Sequence, residues 1–295
     1  MKITALRKRF IEDMQLRNFA PGTQRSYVHY VARFARYFGR SPEHLDLEAV
    51  RQYQLYLLQE HALSPSSINT FTSAVSFLYR ITLARPWSKD EFTRTREDKK
   101  LPVVPGPDEV RRLFDHVPGI KNRAALMLCF GAGLRVSEAA SFKIGNVDSS
   151  RMLLRVEHGK GAKDRYTTLS PALLNILRTY YRIVRPAGDY LFPSWTPDRH
   201  ISSGVLQRAC HEACQLAGLP KRVTPHSLRH AFASCLLDNG VDTRVIQVLL
   251  GHSQITTTAH YTAVSPAKIA ATASPLDQML IHARPKSGRS PKTKV

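Results

Sequence analysis

The chain of 295 residues has few acidic side chains, few cysteines and no long apolar run. Its 23 Asp and Glu residues face 43 Lys and Arg, which leaves a formal net charge of +20. Four irregularly spaced cysteines are too few for a disulfide framework, so a reducing cytoplasm is the predicted location. No apolar stretch is long enough to cross a bilayer, and the first residues do not resemble a secretory signal. The sequence therefore argues against a disulfide-rich secreted protein and a membrane-spanning protein.

The excess of positive charge is the strongest global signal. It is present both before and after residue 100, and the pI is near 10.2. Solubility alone is the competing explanation, but it usually needs a net charge of only roughly 2–8 in a small domain. A basic surface along the whole chain is typical of a protein that binds a polyanion. Because 43% of the residues are hydrophobic, the chain can also form a real core.

The first part of the sequence predicts a helical domain over residues 1–85. The segment "TQRSYVHYVARFARYFG" repeats apolar residues at intervals of three and four, and Gly39 ends it. Asp46 is a predicted N-cap for the next helix. Ser64 and Pro65 stand at the cap and first position of a third helix, a favoured arrangement.

The rest of the chain is predicted to be a mixed but mainly helical domain. Residues 86–106 are rich in proline and charge, so we interpret them as a linker. A catalytic domain is predicted over 107–282 and a disordered basic tail over 283–295. Residues 151–170 predict a β-hairpin with a Gly-Lys-Gly turn. Further helices are predicted near 171–184, 203–217, 226–238 and 242–250. The expected fold class is thus mainly α with a small hairpin or sheet.

A set of basic and hydroxyl side chains stands out within this second domain. Arg135 directly follows a Gly-rich break in an apolar helix. His226 and Arg229 lie three residues apart on one helical face, behind a predicted cap at Thr224. Tyr261 follows in a polar, Thr-rich segment. No cluster of Asp and Glu accompanies these residues, so neither a metal ion nor another cofactor is predicted, and a phosphate would be held by cations alone.

Four blocks, "GAGLRVSE", "HGKGAKDR", "HSLRHAFASCLL" and "LLGHSQITTTAHYT", occur in this order. Together they resemble the signature motifs of the tyrosine recombinase (phage integrase) family, and most closely those of Xer and integron integrases. The resemblance covers nearly the whole chain and implies a helical core-binding domain and a catalytic domain that form a C-shaped clamp on DNA. It assigns the catalytic positions to Arg135, Lys160, His226, Arg229, His252 and Tyr261.

The resemblance also implies a mechanism. Tyr261 would attack a phosphodiester of duplex DNA and form a 3′-phosphotyrosine, and no ATP would be needed because one phosphodiester replaces another. The two arginines would stabilise the charge of the transition state. His226 would act as the base and His252 as a hydrogen-bond donor to the phosphate, whereas Lys160 would protonate the leaving oxygen.

The implied assembly is a homotetramer on two paired sites that exchanges strands through a Holliday junction. Accessory proteins are left open as further partners. The segment "SPAKIAATASPLDQML", with Ile269, Leu276 and Leu280, would dock on a neighbouring protomer. The competing interpretation of this segment is a helix packed on its own domain. A type IB-like topoisomerase and a non-catalytic DNA-binding protein remain as alternative functions.

Several other features favour simpler interpretations. "CHEAC", with Cys210, His211 and Cys214, has the ligand spacing of a metal site, but no second half-site exists and helix packing is predicted. His230 does not match a catalytic position of the family and is interpreted as a packing or backbone contact. Lys163 shares the hairpin with Lys160 and is expected to contact phosphate or solvent.

Two departures from the family pattern bear on the substrate. Ser234 stands where Thr is common, which is a mild change. The stretch from Pro186 to Thr224 is too short for the extra segment with which integron integrases bind folded single strands. Ordinary duplex sites are therefore the predicted substrate.

Overall fold

A computed structural model describes residues 4–96, 104–157, 164–251, 272 and 274–282. The chain divides into two compact units, residues 1–100 and 101–295. Helices predominate and one small sheet is present in the second unit, which confirms the predicted fold class. No helix in the described ranges is both long and apolar enough to span a membrane.

Over residues 4–96, the described part of the first unit, the chain forms four α-helices, a short 3₁₀ turn and a π-helical turn. The α-helices are α1 (Ala5–Leu16), α2 (Pro21–Phe38), α3 (Leu47–Gln59) and α4 (Pro65–Phe77). Three predicted boundaries are confirmed: Gly39 ends α2 with a left-handed φ of 61°, Asp46 caps α3 and Ser64 caps α4. The Asp46 carboxylate accepts the Ala49 N–H at 2.8 Å, which satisfies one of the free donors at the helix start. Helix α1 was not predicted.

Aromatic rings form the centre of this first unit. Phe34, Tyr53 and Phe71 are buried, and their ring centroids lie 5.0–5.6 Å apart. Trp87 and Phe92, from the segment after the helices, pack onto the same cluster. This segment therefore packs against the helices. The predicted boundaries of the helical domain and of the linker remain predictions.

The second unit combines eight helices with a three-stranded antiparallel sheet in the described residues. Its strands are β1 (Val147–Asp148), β2 (Leu153–Val156) and β3 (Arg165–Thr168), in the order β1-β2-β3. The hairpin of β2 and β3 is confirmed, with Leu153 opposite Thr168 and Val156 opposite Arg165, whereas β1 was missed. The helices are α5 (Pro107–His116), α6 (Ile120–Gly131), α7 (Val136–Ala140), α8 (Pro171–Val184), α9 (Ser203–Leu216), α10 (Pro225–Asp238), α11 (Thr243–Leu250) and α12 (Pro275–His282).

Helix α6 is the centre of the second core, because nearly every residue from Ala124 to Gly131 is fully buried. Helices α8, α9, α10 and α12 all contact it. At the end of α6, Gly131 allows a close approach, since an added Cβ would lie 3.2 Å from the Leu276 side chain. The core therefore closes around the end of α6, just before Arg135.

Helix α12 is part of this same core. Leu276 is fully buried, the Ser274 hydroxyl donates to the Gly131 carbonyl at 2.8 Å, and the Asp277 carboxylate accepts the Ala172 N–H at 3.1 Å. The expectation that Leu276 docks on a neighbouring protomer is therefore corrected to packing on its own unit. Burial of an apolar side chain against α6 explains the difference. Ile269 and the side chain of Leu280 lie outside the described residues.

Candidate active site

The structure brings three of the six predicted catalytic residues together. Arg135 precedes α7, and His226 and Arg229 lie in the first turns of α10, which begins behind the Thr224 cap as predicted. The Thr224 hydroxyl accepts the Ser227 N–H at 3.1 Å. Lys160, His252 and Tyr261 lie outside the described residues, as does Lys163.

Gly133 allows α10 to approach the loop that carries Arg135. Its φ is 66°, and an added Cβ would lie 2.6 Å from the Phe232 ring. A side chain at this position would therefore clash in a backbone conformation that L-residues rarely adopt. Arg229 in turn donates to the Gly133 carbonyl at 2.6 Å. The Gly-rich break thus places the Arg135 loop directly against α10.

A buried carboxylate, that of Glu138, organises the guanidinium groups of the site. Arg165 binds it in a bidentate manner at 2.9 and 2.7 Å. Arg135 donates to it twice, from the backbone N–H at 2.8 Å and from the guanidinium at 2.7 Å. Arg229 completes the group at 3.8 Å. Forked guanidinium groups match both oxygens of a carboxylate, so Glu138 fixes the position and orientation of its arginine neighbours.

The same three arginines also bind the C-terminal end of α11. Arg165, Arg229 and Arg135 donate to three successive carbonyls, those of Leu249, Leu250 and Gly251, at 3.0, 2.5 and 3.3 Å. The last carbonyls of a helix have no partner within the helix, and this end carries partial negative charge. Gly251 ends α11 in the left-handed conformation, which agrees with the predicted end of this helix near residue 250. The arginines therefore hold the chain at the residue before His252.

Two residues of this cluster, Glu138 and Arg229, have pKa values shifted well away from the ordinary ones. Burial opposes ionisation of Glu138, but hydrogen bonds and charge from Arg165 and Arg135 outweigh it and lower its pKa to about 2. Burial, reinforced by the charge of Arg135, lowers the pKa of Arg229 to about 10. Glu138 and Arg229 therefore both remain charged at neutral pH. Three guanidinium groups therefore face one carboxylate, and the excess positive charge suits a phosphate.

His226 differs from the arginines because it is exposed. Partial burial of its ring, then the charges of His230, Arg229 and Arg135, lower its pKa from the ordinary value. A neutral imidazole at physiological pH can accept a proton. His226 thus combines access to a substrate with the protonation state that a base requires.

Glu138 and Arg165 are site residues that sequence reasoning missed. Glu138 lies in the "GAGLRVSE" block, three residues after Arg135, where its side chain reaches back to the start of α7. Arg165 ends the "HGKGAKDR" block and begins β3. Glu138 is a single carboxylate, so the absence of an Asp and Glu cluster in the sequence gave no indication of its role. The sequence did contain a signal for this role, namely an acidic residue close to a predicted site arginine.

The "CHEAC" segment takes part in helix packing in the described chain. Cys210 and Cys214 are buried on α9, and both thiols contact the Val223 carbonyl, at 3.6 and 3.3 Å, while His211 is exposed. Burial raises the pKa of both thiols. No three His, Cys, Asp or Glu side chains among the residues with described positions come together as a metal site.

Comparison with known proteins gives consistent matches along the chain. Residues 106–268 match the phage integrase family, and residues 6–89 match the N-terminal SAM-like domain of phage integrases. The integrase/recombinase y4qK of Sinorhizobium fredii is 47% identical over 276 residues, which are 93% of this chain and 89% of that protein. The tyrosine recombinase XerA of Thermococcus onnurineus is 33% identical over 256 residues, 85% of this chain and 88% of that protein.

A similar fold occurs in a solved structure of a lambda integrase tetramer bound to a Holliday junction. The TM-score is 0.68 at 20% identity, and the match covers 87% of this chain and 76% of that one. The family match extends over more than half of the chain and includes Arg135, His226 and Arg229. The chain therefore belongs to the phage integrase family, and it is a tyrosine-type site-specific DNA recombinase, an enzyme that breaks and rejoins DNA strands.

Proposed function

We propose that Arg135 and Arg229 bind the scissile phosphate of duplex DNA and that Tyr261 attacks it to form a 3′-phosphotyrosine. The observation that carries this proposal is the arginine cluster around Glu138, which presents excess positive charge beside an exposed His226. Charge builds up on the nonbridging oxygens in the transition state, and prearranged guanidinium groups stabilise it. Each such donor is worth about 10²–10³ in rate.

Proton transfers complete the reaction. A free phenol has a pKa of about 10, so Tyr261 needs a base, and His226 takes this role. The phenolic O–H bond breaks as its oxygen bonds to phosphorus, and the 5′-oxygen leaves with a proton from Lys160. His252 donates a hydrogen bond to the phosphate. Attack by the released 5′-hydroxyl, or by that of a second strand, reverses these steps and frees the tyrosine.

Recombination requires two DNA sites, so the proposed assembly is a homotetramer in the cytoplasm that exchanges strands through a Holliday junction. The family relationship supports this assembly, and the lambda integrase of similar fold was solved as a tetramer on such a junction. Purified protein alone should recombine two copies of its site. Recombination that requires added cell extract would identify accessory proteins as further partners.

The nucleophile is tested by covalent trapping on fragmented genomic DNA of the organism that encodes the protein. The fragments that are bound in this assay also identify the DNA site. Wild-type protein should form a 3′-linked adduct, whereas Tyr261→Phe should bind the same fragments and form none. Tyr181→Phe is the matched control, because Tyr181 is an exposed tyrosine of α8 in the same unit. An adduct with Tyr261→Phe would show that the nucleophile is misassigned.

The same assay separates the alternative functions. Adducts and relaxation of supercoiled DNA without synapsis of two sites would indicate a type IB-like topoisomerase. Binding without any adduct would indicate a non-catalytic DNA-binding protein. Because cations of the protein supply the charge in the proposed site, single-turnover cleavage should persist in excess EDTA. Loss on chelation and recovery with Mg²⁺ would contradict the proposed site.

The role of Lys160 is tested by changing the leaving atom. Lys160→Ala should cleave normal DNA more slowly, by about 10²–10⁴, because an unprotonated alkoxide leaves poorly. DNA with a 5′-bridging sulfur needs no acid, so Lys160→Ala should cleave it at close to the wild-type rate. Arg135→Ala should not be rescued in this way. Equal slowing of Lys160→Ala on both substrates would refute the role and make Lys163 the next residue to test.

A further inference from the structure

His230 forms a hydrogen bond with His226 on the surface of α10. The two residues are one helical turn apart, and their Nε2 atoms lie 3.0 Å from each other. Their ring centroids are 4.4 Å apart, with an angle of 78° between the ring planes. The expectation that His230 makes only a packing or backbone contact is therefore incomplete, because a ring nitrogen of His230 touches a proposed catalytic side chain.

A hydrogen bond between two imidazole nitrogens requires one of them to donate and the other to accept. If His230 donated, the proton of neutral His226 would be on Nδ1, and His226 would have no free nitrogen with which to accept another. If His226 donates through Nε2, its Nδ1 keeps a lone pair. Within the described parts of the chain, Nδ1 of His226 has no hydrogen-bond partner. Only the second arrangement therefore leaves His226 able to act as a base.

The groups around the pair favour a neutral His226 before the reaction. Arg229 follows on the same helix, and Arg135 lies close on the neighbouring loop, so both cations oppose a further positive charge. The start of α10 adds a partial positive charge. Once His226 accepts a proton it carries this unfavourable charge, and a hydrogen bond from its Nε2–H to a neutral partner stabilises it.

We propose that His230 is a positioning residue that accepts a hydrogen bond from His226 Nε2–H, and so keeps His226 Nδ1 free to take the phenolic proton. This inference rests on the proposed role of His226 as the base. In the reaction, the phenolic O–H bond breaks and an N–H bond forms at Nδ1. The positive charge then resides on the His226 ring, and the hydrogen bond to His230 becomes charge-assisted. If His230 only packed against His226, an aromatic ring without nitrogen atoms would serve equally well at this position.

The tautomer is measured first, by ¹⁵N NMR of the histidine-labelled full chain in the absence of DNA. Wild-type His226 should carry its proton on Nε2 at a pH where the ring is neutral. His230→Gln should keep this state, because the amide oxygen can accept the bond in place of Nε2. His230→Phe retains the ring but has no acceptor, so both tautomers of His226 should be populated. A proton on Nδ1 in the wild type would overturn the proposal.

Cleavage is measured second, in single turnovers on the trapped DNA site. His230→Phe should be slower by about tenfold or more, as expected when a hydrogen bond to a charged group is lost, while its DNA affinity stays unchanged. His230→Gln should remain within about threefold of the wild type. His211→Phe is the matched control, because it makes the same change at an exposed histidine of α9. Wild-type rates with His230→Phe, or equal losses with Phe and Gln, would overturn the proposal.

His226→Ala separates failure of this inference from failure of the proposed function. If His226→Ala cleaves DNA at the wild-type rate, His226 is not the base, whatever the tautomer. If His226→Ala is slow and His230→Phe is not, the base role stands and the proposed role of His230 is wrong.

Discussion

The two units of this recombinase are stabilised in different ways. The first has a core of aromatic rings around Phe34, Tyr53 and Phe71, and no charged side chain is buried in the described part of it. The second has a mainly aliphatic core and, at its edge, a buried carboxylate that binds arginines. A desolvated ion cluster stabilises a protein less than apolar packing does, but it fixes charged groups in place. The second unit therefore contains a buried ion cluster that holds the arginines of the proposed site in position.

The largest expected effect comes from removing the central carboxylate. Glu138→Gln leaves buried guanidinium groups without a counter-ion, so the free energy of unfolding should fall by about 3–5 kcal/mol. Denaturant unfolding followed by circular dichroism measures the loss. Glu48→Gln is the matched control, because Glu48 forms an exposed ion pair with Arg51 in the first unit. Such pairs contribute at most about 1 kcal/mol. Equal losses of unfolding free energy in the two variants would contradict the proposed difference between the two units.

A second change tests whether α12 belongs to the core of its own unit. Leu276→Ala removes a fully buried side chain beside Gly131 and should lower the free energy of unfolding by about 2–5 kcal/mol. The effect should not depend on protein concentration, because the packing lies within one chain. Unfolding measured at two concentrations a hundredfold apart checks this. A normal stability, combined with weaker cooperative binding to a full DNA site, would instead place Leu276 between protomers.

Acid should weaken the ion cluster. The Glu138 pKa is lowered from the ordinary 4.5 to about 2, so the folded state binds this proton less readily than the unfolded state. The contribution of ionised Glu138 to the free energy of unfolding is complete above about pH 4.5. It is lost as the pH falls towards 2, a change of about 3 kcal/mol. Comparing wild type with Glu138→Gln across this window isolates the effect. Parallel curves for the two proteins would contradict the assigned pKa.

The smallest effect concerns the first unit. Asp46→Ala removes the N-cap of α3 and should lower the free energy of unfolding by about 1 kcal/mol. The single-turnover cleavage rate at saturating protein should not change, because the cap is remote in sequence from the arginine cluster and belongs to the other compact unit. A large drop in that rate would mean that the first unit takes part in the chemistry.

Local signals in the sequence were sufficient for much of the fold. Capping residues Asp46, Ser64 and Thr224 and the glycines at 39 and 251 act within one helical turn, so the pattern of neighbouring residues predicts where these helices begin and end. Strand β1 has two residues and α1 has a weak apolar pattern, so neither was predicted. Short or weakly patterned elements depend on contacts with distant parts of the chain.

The amino-acid pattern was sufficient to predict the basic character, the helical units and, through four ordered motifs, the family and the candidate residues Arg135, His226 and Arg229. The groups that surround these three residues follow from the fold and not from the local pattern. Glu138 meets Arg165 across 27 positions, and Arg135 meets the Gly251 carbonyl across 116. Such partners are selected by burial, because a desolvated charge or carbonyl must find a partner that the fold brings near. A motif records which residues are present, and the packing of α7, α10, α11 and β3 decides what each of them contacts.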